Sequence, residues 1–126
     1  MYKFILTTSI LISLLTKGQT ETKYHDDNYK LANKVLISAL SHQPAQTDNN
    51  TSLIQIKDSA QAISIAEQAL FKVYGQKHIT DQKPYHLYNI KNHWVMFGTL
   101  HYTKGGTFYI VIDAADSKII DMYHEK

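Results

Sequence analysis

Residues 58–75, DSAQAISIAEQALFKVYG, decide the fold of this 126-residue chain. Asp58 followed three residues later by Gln61 resembles a capping box, in which each side chain satisfies a backbone donor that the first helical turn leaves open. Ile63, Ala66, Leu70 and Val73 then recur at helical spacing, and Gly75 supplies the stop, because glycine tolerates the left-handed conformation that ends many helices. Tyr74 falls in the last turn.

After Pro84 the apolar period changes from about four to two, the spacing of strands. Tyr85–Ile90 and His93–Tyr102 alternate on either side of Lys91-Asn92, a tight connection. Thr107–Asp113 follows Lys104-Gly105-Gly106, where paired glycines permit positive φ, and Ile119–Tyr123 follows the turn cluster Ala115–Lys118. Phe108, Ile110 and Ile112 form an apolar face, whereas Thr107, Tyr109 and Val111 form a partly polar one. The expected architecture is α+β, with helices laid on the apolar face of an antiparallel meander of three or four strands.

Upstream, Asp26-Asp27-Asn28 can cap a helix running to about Leu40, with Leu31, Val35 and Ala39 in one stripe and Ala32, Leu36 and Leu40 beside them. Residues 41–51, which include Pro44 and an Asp/Asn cluster, read as a loop, and 52–57 as a short strand. At the front, Lys3 precedes the uncharged 12-residue run Phe4–Leu15. This is the anatomy of a secretory signal, too short for a span of about 20 residues. Small residues at Thr16 and Gly18 put the cut before Gln19, with Thr20 or Glu21 as alternatives. The division expected is therefore a signal peptide at 1–18, a polar leader, helix and loop at 19–57, and an α+β domain at 58–126. The protein is expected to be exported, periplasmic or secreted, without a stable membrane anchor.

Removal of residues 1–18 leaves 11 Lys and Arg against 11 Asp and Glu, and so no basic excess of the kind that binds nucleic acid. The absence of cysteine excludes disulfides and thiolate metal sites. The histidines are seven: His25, His42, His78, His86, His93, His101 and His124. None forms a His-x-His or His-x3-His pair, and His93 and His101, if joined by one strand, would stand about 26 Å apart at roughly 3.3 Å per residue. No metal or cofactor is expected. Asp113, Asp121, Tyr88 and Tyr109 are the groups available for acid-base catalysis, but Asp113 reads more simply as a strand terminator, and no catalytic residue is assigned. Nine tyrosines favour a binding surface instead, since tyrosine pairs a large apolar ring with a hydroxyl. Tyr85, Tyr88, His101, Tyr102 and Tyr109 are the candidate partner contacts, and Trp94 is expected in the core.

From Asp58 to Lys126 the order of features resembles the immunity proteins of nuclear-transport-factor-2-like (cystatin-like) fold found beside bacterial polymorphic toxins. Ala62–Ala69 with Glu67 looks like that family's opening helix and Tyr74-Gly75 like its end. Gln82–Tyr85 looks like its polar approach to the sheet, and Trp94-Val95 with Gly98–Leu100 like its central strand. Gly105-Gly106 before Phe108–Ile110 resembles its glycine hairpin, and Asp116–Ile120 its last turn, although this chain has Ser117 where the family usually has glycine. The resemblance implies a non-enzymatic inhibitor whose partner is a cognate protein toxin. The alternatives are a small-ligand or peptide-binding module using the sheet's concavity, and an acid-base enzyme of the same fold.

Overall fold

The computed structural model describes residues 25–42 and 54–126. The expected signal peptide, its cleavage site and most of the loop at 41–51 lie outside the described residues. A boundary between two units of the chain falls between Leu31 and Ala32.

Among the described residues helix α1 covers 25–41, so Asp26, Asp27 and Asn28 are helical and do not precede the helix as caps. Asp26 instead pairs with Lys30 one turn on, at 2.7 Å. Ala32, Val35, Leu36 and Ala39 are its buried stripe, while Leu40 is exposed. Residues 54–57 form no strand; Ile56 N–H donates to the Ala114 carbonyl at 2.8 Å, the Ile54 carbonyl accepts from the Ser117 hydroxyl, and the Ile56 side chain is buried in the core.

Helix α2, Ser59–Tyr74, begins as its sequence requires. Asp58 Oδ1 accepts the Gln61 N–H at 2.8 Å, and Gln61 Oε1 accepts the N–H of Lys57, one residue earlier than in the usual box, at 2.9 Å. Gly75 ends it at φ +87°. The buried stripe is Ala62, Ala66 and Leu70: Ala66 and Leu70 hold their expected places, Ala62 is buried where Ile63 was expected, Ile63 is only half-buried, and Val73 is 59% exposed. The small alanines let the helix approach the sheet closely, and Tyr74 takes the inner side of the last turn. A second short helix, α3 (Gln76–Thr80), follows at once and buries Ile79. Five residues are too few to show a helical period, which is why the sequence conceals it.

Strands β1 (His86–Ile90), β2 (His93–Phe97), β3 (Phe108–Asp113) and β4 (Ile119–His124) form an antiparallel meander in the order β1-β2-β3-β4. Lys91 and Asn92 both take positive φ, +49° and +61°, which gives the two-residue turn whose twist suits a hairpin. Ser117 also takes positive φ, +62°, and so adopts the glycine-type conformation without being glycine.

Met96, Phe108, Ile110 and Ile112 meet α2 in one core, with Leu87, Trp94 and Met122 packed at its margin. The opposite face is also buried, contrary to its partly polar reading: Thr107, Tyr109 and Val111 are only 6, 6 and 1% exposed. On that face one register row, His86, Phe97, Tyr109 and Tyr123, stacks ring on ring at 4.9, 5.7 and 4.9 Å. Contacts between directly opposed rings are among the cross-strand pairs that stabilise a sheet.

Candidate binding site

β2 stops at Phe97, five residues short of the expected Tyr102, and the cause is Gln82. A side chain at Gly98 would bring a Cβ to 2.7 Å from Gln82 Cβ, so residue 98 must be glycine for the chain to pass. Thr99 then leaves the β2–β3 ladder: its N–H donates to the Gln82 carbonyl at 2.8 Å and its hydroxyl to the Pro84 carbonyl at 2.6 Å. The His101 ring holds the Lys83 carbonyl at 2.6 Å. The connection is thus a ten-residue loop, 98–107, with its base pinned to the segment between α3 and β1.

The Gln82 side chain, 8% exposed, ties three further elements together. Its Oε1 accepts the Phe108 N–H at 3.0 Å, and its Nε2 donates to the His78 carbonyl at 3.2 Å and to His124 Nε2 at 3.0 Å. His78 Nε2 also lies 3.1 Å from His124 Nε2. The Tyr74 ring stands 5.5 Å from that of His124. Two histidines that are 46 residues apart in sequence therefore meet, where the spacing had offered no pair. Among the described residues, no three His, Asp or Glu side chains converge where a metal could sit.

Around this junction α3, loop 98–107 and the end of β4 enclose a cleft of about 480 Å³. Leu100 and Tyr102, 51% and 77% exposed, stand on its loop side. Asp81, which also lines it, is paired with Lys77 at 2.6 Å, an exposed bridge that adds little to stability.

The five residues singled out by sequence do not form one surface. His101 and Tyr102 line the cleft. Tyr85 faces the α2 side, edge-on to Phe108 at 5.4 Å, and its hydroxyl donates to Glu67 at 3.0 Å; burial, then that bond, push its ionisation well above the ordinary tyrosine value. Tyr88 and Tyr109 belong to the opposite face, each stacked on Phe97. Tyr109 is buried, so its ring is packing and not contact surface. Of the acid-base candidates, Asp113 accepts the Ala115 N–H at 2.9 Å within the β3–β4 turn, and Asp121 accepts the Met122 N–H. The sequence missed Gln82, His78 and His124. The two glycines Gly98 and Gly106 are the one local signal of the close approaches there.

A family model described as an NTF2 fold immunity protein matches residues 61–126, just over half of the chain. The chain belongs to that family. The match covers α2 from Gln61 on, α3, all four strands and every residue lining the cleft. The chain is also 34% identical over 73 residues to an uncharacterized protein of Escherichia coli strain K12, YhhH; the aligned region is 56% of this chain and 58% of the relative. The chain thus spans well under two thirds of that relative's length. No solved structure matches it significantly.

Proposed function

We propose that this immunity-family chain binds a cognate protein toxin and neutralises it by occupancy, without catalysis, and that the toxin docks on loop 98–107 at the mouth of the cleft. The observation that carries this reading is Tyr102, 77% exposed on a loop whose base is fixed by hydrogen bonds from Thr99 and His101. A large ring held on a pinned loop loses little freedom on binding, and aromatic anchors of this kind dominate protein interfaces. Leu100 beside it extends the apolar contact. In this reading His101 and Tyr102, which line the cleft, are the toxin contacts, and Tyr85, Tyr88 and Tyr109 support the scaffold.

The charge-free run after Lys3 supports an exported protein, cut near Gly18 and periplasmic or secreted, that meets its toxin outside the cytoplasm. Among the described residues no helix is long and apolar enough to cross a membrane. Fractionation of host cells tests the placement: full-length protein confined to the cytoplasm, with residues 1–18 retained, would rule it out.

The docking test is titration of the purified chain with the product of the adjacent gene, the candidate toxin. Tyr102→Ala and Leu100→Ala are each expected to weaken the complex at least tenfold with unchanged thermal stability. Unaltered affinity in both variants would exclude the loop as the contact; no binding by the unaltered chain would exclude the neighbouring toxin as partner.

A further inference from the structure

We propose that two copies of this chain pair through β1, strand against antiparallel strand, about a two-fold axis at Tyr88. The sheet has two edges, β1 and β4, and they are built differently. On β4 the Glu125 N–H donates to the Thr107 carbonyl. By the alternation of an antiparallel ladder, Tyr123 and Asp121 then also face β3, while Met122 and His124 turn their backbone groups outward. That outward edge is guarded. The Asp121 carboxylate takes the Met122 N–H at 2.9 Å, and the register shift between Val111 and Ile112 leaves Ile120 as an extra residue that interrupts the ladder. Charged side chains and bulges on an edge discourage the addition of a further strand.

β1 carries neither device: its sequence, HLYNI, holds no Lys, Asp or Glu, and its pairing with β2 runs without a register shift. Lys91 and Asn92 form a two-residue turn, so Ile90 and His93 are the hydrogen-bonded pair that closes it, and Tyr88–Val95 and His86–Phe97 are the next such pairs. Leu87 and Asn89 therefore direct their N–H and C=O groups away from β2. These groups meet no partner among the described residues, and Asn89 is exposed.

The occupant is a second copy because β1 matches itself. Outward-facing residues must oppose outward-facing residues, and setting Leu87 against Asn89 of the second copy pairs all five residues of the strand. A shift of two in either direction leaves only residues 86–88 or 88–90 paired. In the full register each Leu87–Asn89 pair exchanges both its backbone bonds, His86 lies opposite Ile90, and no like charges meet. Tyr88 faces its own counterpart at a non-hydrogen-bonded position, where side chains come closest. Its ring stacks on Phe97 at 6.3 Å, so the row of rings on that face continues from one copy into the next. None of the residues lining the cleft belongs to β1, and the pairing holds whether or not a toxin is the cleft's ligand.

The test is sedimentation equilibrium of the purified chain, with oxidation of single-cysteine variants. The chain has no cysteine, so Tyr88→Cys places one thiol in each copy. Cα atoms opposed at a non-hydrogen-bonded position stand about 4.5 Å apart, within reach of a disulfide. The unaltered chain is expected to sediment as a dimer at about 100 µM. Tyr88→Cys should form a disulfide-linked dimer at least tenfold faster than Tyr123→Cys, which puts a thiol on the guarded edge where Tyr123 is 37% exposed. Asn89→Pro removes one outward N–H and should weaken the dimer at least tenfold. A monomer at that concentration, or equal cross-linking of the two cysteine variants, would overturn the proposal. Should Tyr88→Cys fail to fold, sedimentation of the unaltered chain and of Asn89→Pro decides alone.

Discussion

The backbone of Gly106 passes so close to Glu125 that a Cβ on residue 106 would lie 2.8 Å from the Glu125 carbonyl carbon and 2.9 Å from its oxygen. Gly105 next to it has open space but a φ of +96°. The two glycines of the loop are thus required for different reasons, one for room and one for conformation.

Gly106→Ala should therefore destabilise by about 2 kcal/mol, the range of overpacking against a backbone that cannot move aside. Gly105→Ala should cost about 1 kcal/mol from backbone strain alone. Urea unfolding of both variants checks the order, and a Gly106→Ala variant as stable as the parent would contradict the close approach.

The Tyr85 hydroxyl joins the start of the sheet to Glu67 on α2. Tyr85→Phe should cost about 1.5 kcal/mol, somewhat more than a neutral pair because the acceptor is a carboxylate. Glu67→Gln keeps an acceptor and should cost less. Comparison of denaturation midpoints separates the two.

Loop, strand and turn were legible in the sequence to unequal degrees, and the reasons are local. Asp58, Gln61 and Gly75 act through bonds to near neighbours, so α2 could be read to within a residue at both ends. The β1–β2 hairpin was equally plain at Lys91-Asn92. The length of β2 was not legible, because it is set by Gln82, sixteen residues away, and not by its own alternation. Tyr109 misled for a related reason: a tyrosine in a strand reads as half-exposed, yet here the Phe97 and Tyr123 rings cover its two sides. The cleft depended on long-range contacts of Gln82, His78 and His124 and left only Gly98 and Gly106 as traces.

His86 titrates below the ordinary histidine value, because burial against Phe97 disfavours its charged form. With its folded value below the unfolded one of about 6.5, the unfolded chain binds the extra proton first. The contribution of His86 is fully present above that pH, and stability falls as pH drops towards the folded value. Chemical denaturation between pH 5 and 8 should show a shallower slope for His86→Asn than for the parent; equal slopes would remove His86 from the account.

Tyr85, Tyr109 and Tyr123 all ionise above the usual tyrosine range, chiefly because burial penalises the phenolate. Here the sign is reversed: the contribution is present below about pH 10 and is lost as pH rises. Phenolate absorbance of the folded chain should lag behind that of the urea-unfolded chain, and Tyr109→Phe should shrink the lag. Superposed folded and unfolded curves would contradict the desolvation of these hydroxyls.

The central claim is neutralisation of a protein toxin by this member of the NTF2 fold immunity family. Survival of cells that express the product of the adjacent gene as the candidate toxin, with and without this chain, tests it most directly. Full rescue by the parent and at least tenfold poorer survival with Tyr102→Ala, at equal protein levels, is the expected result. Equal killing with and without the parent chain would contradict the claim.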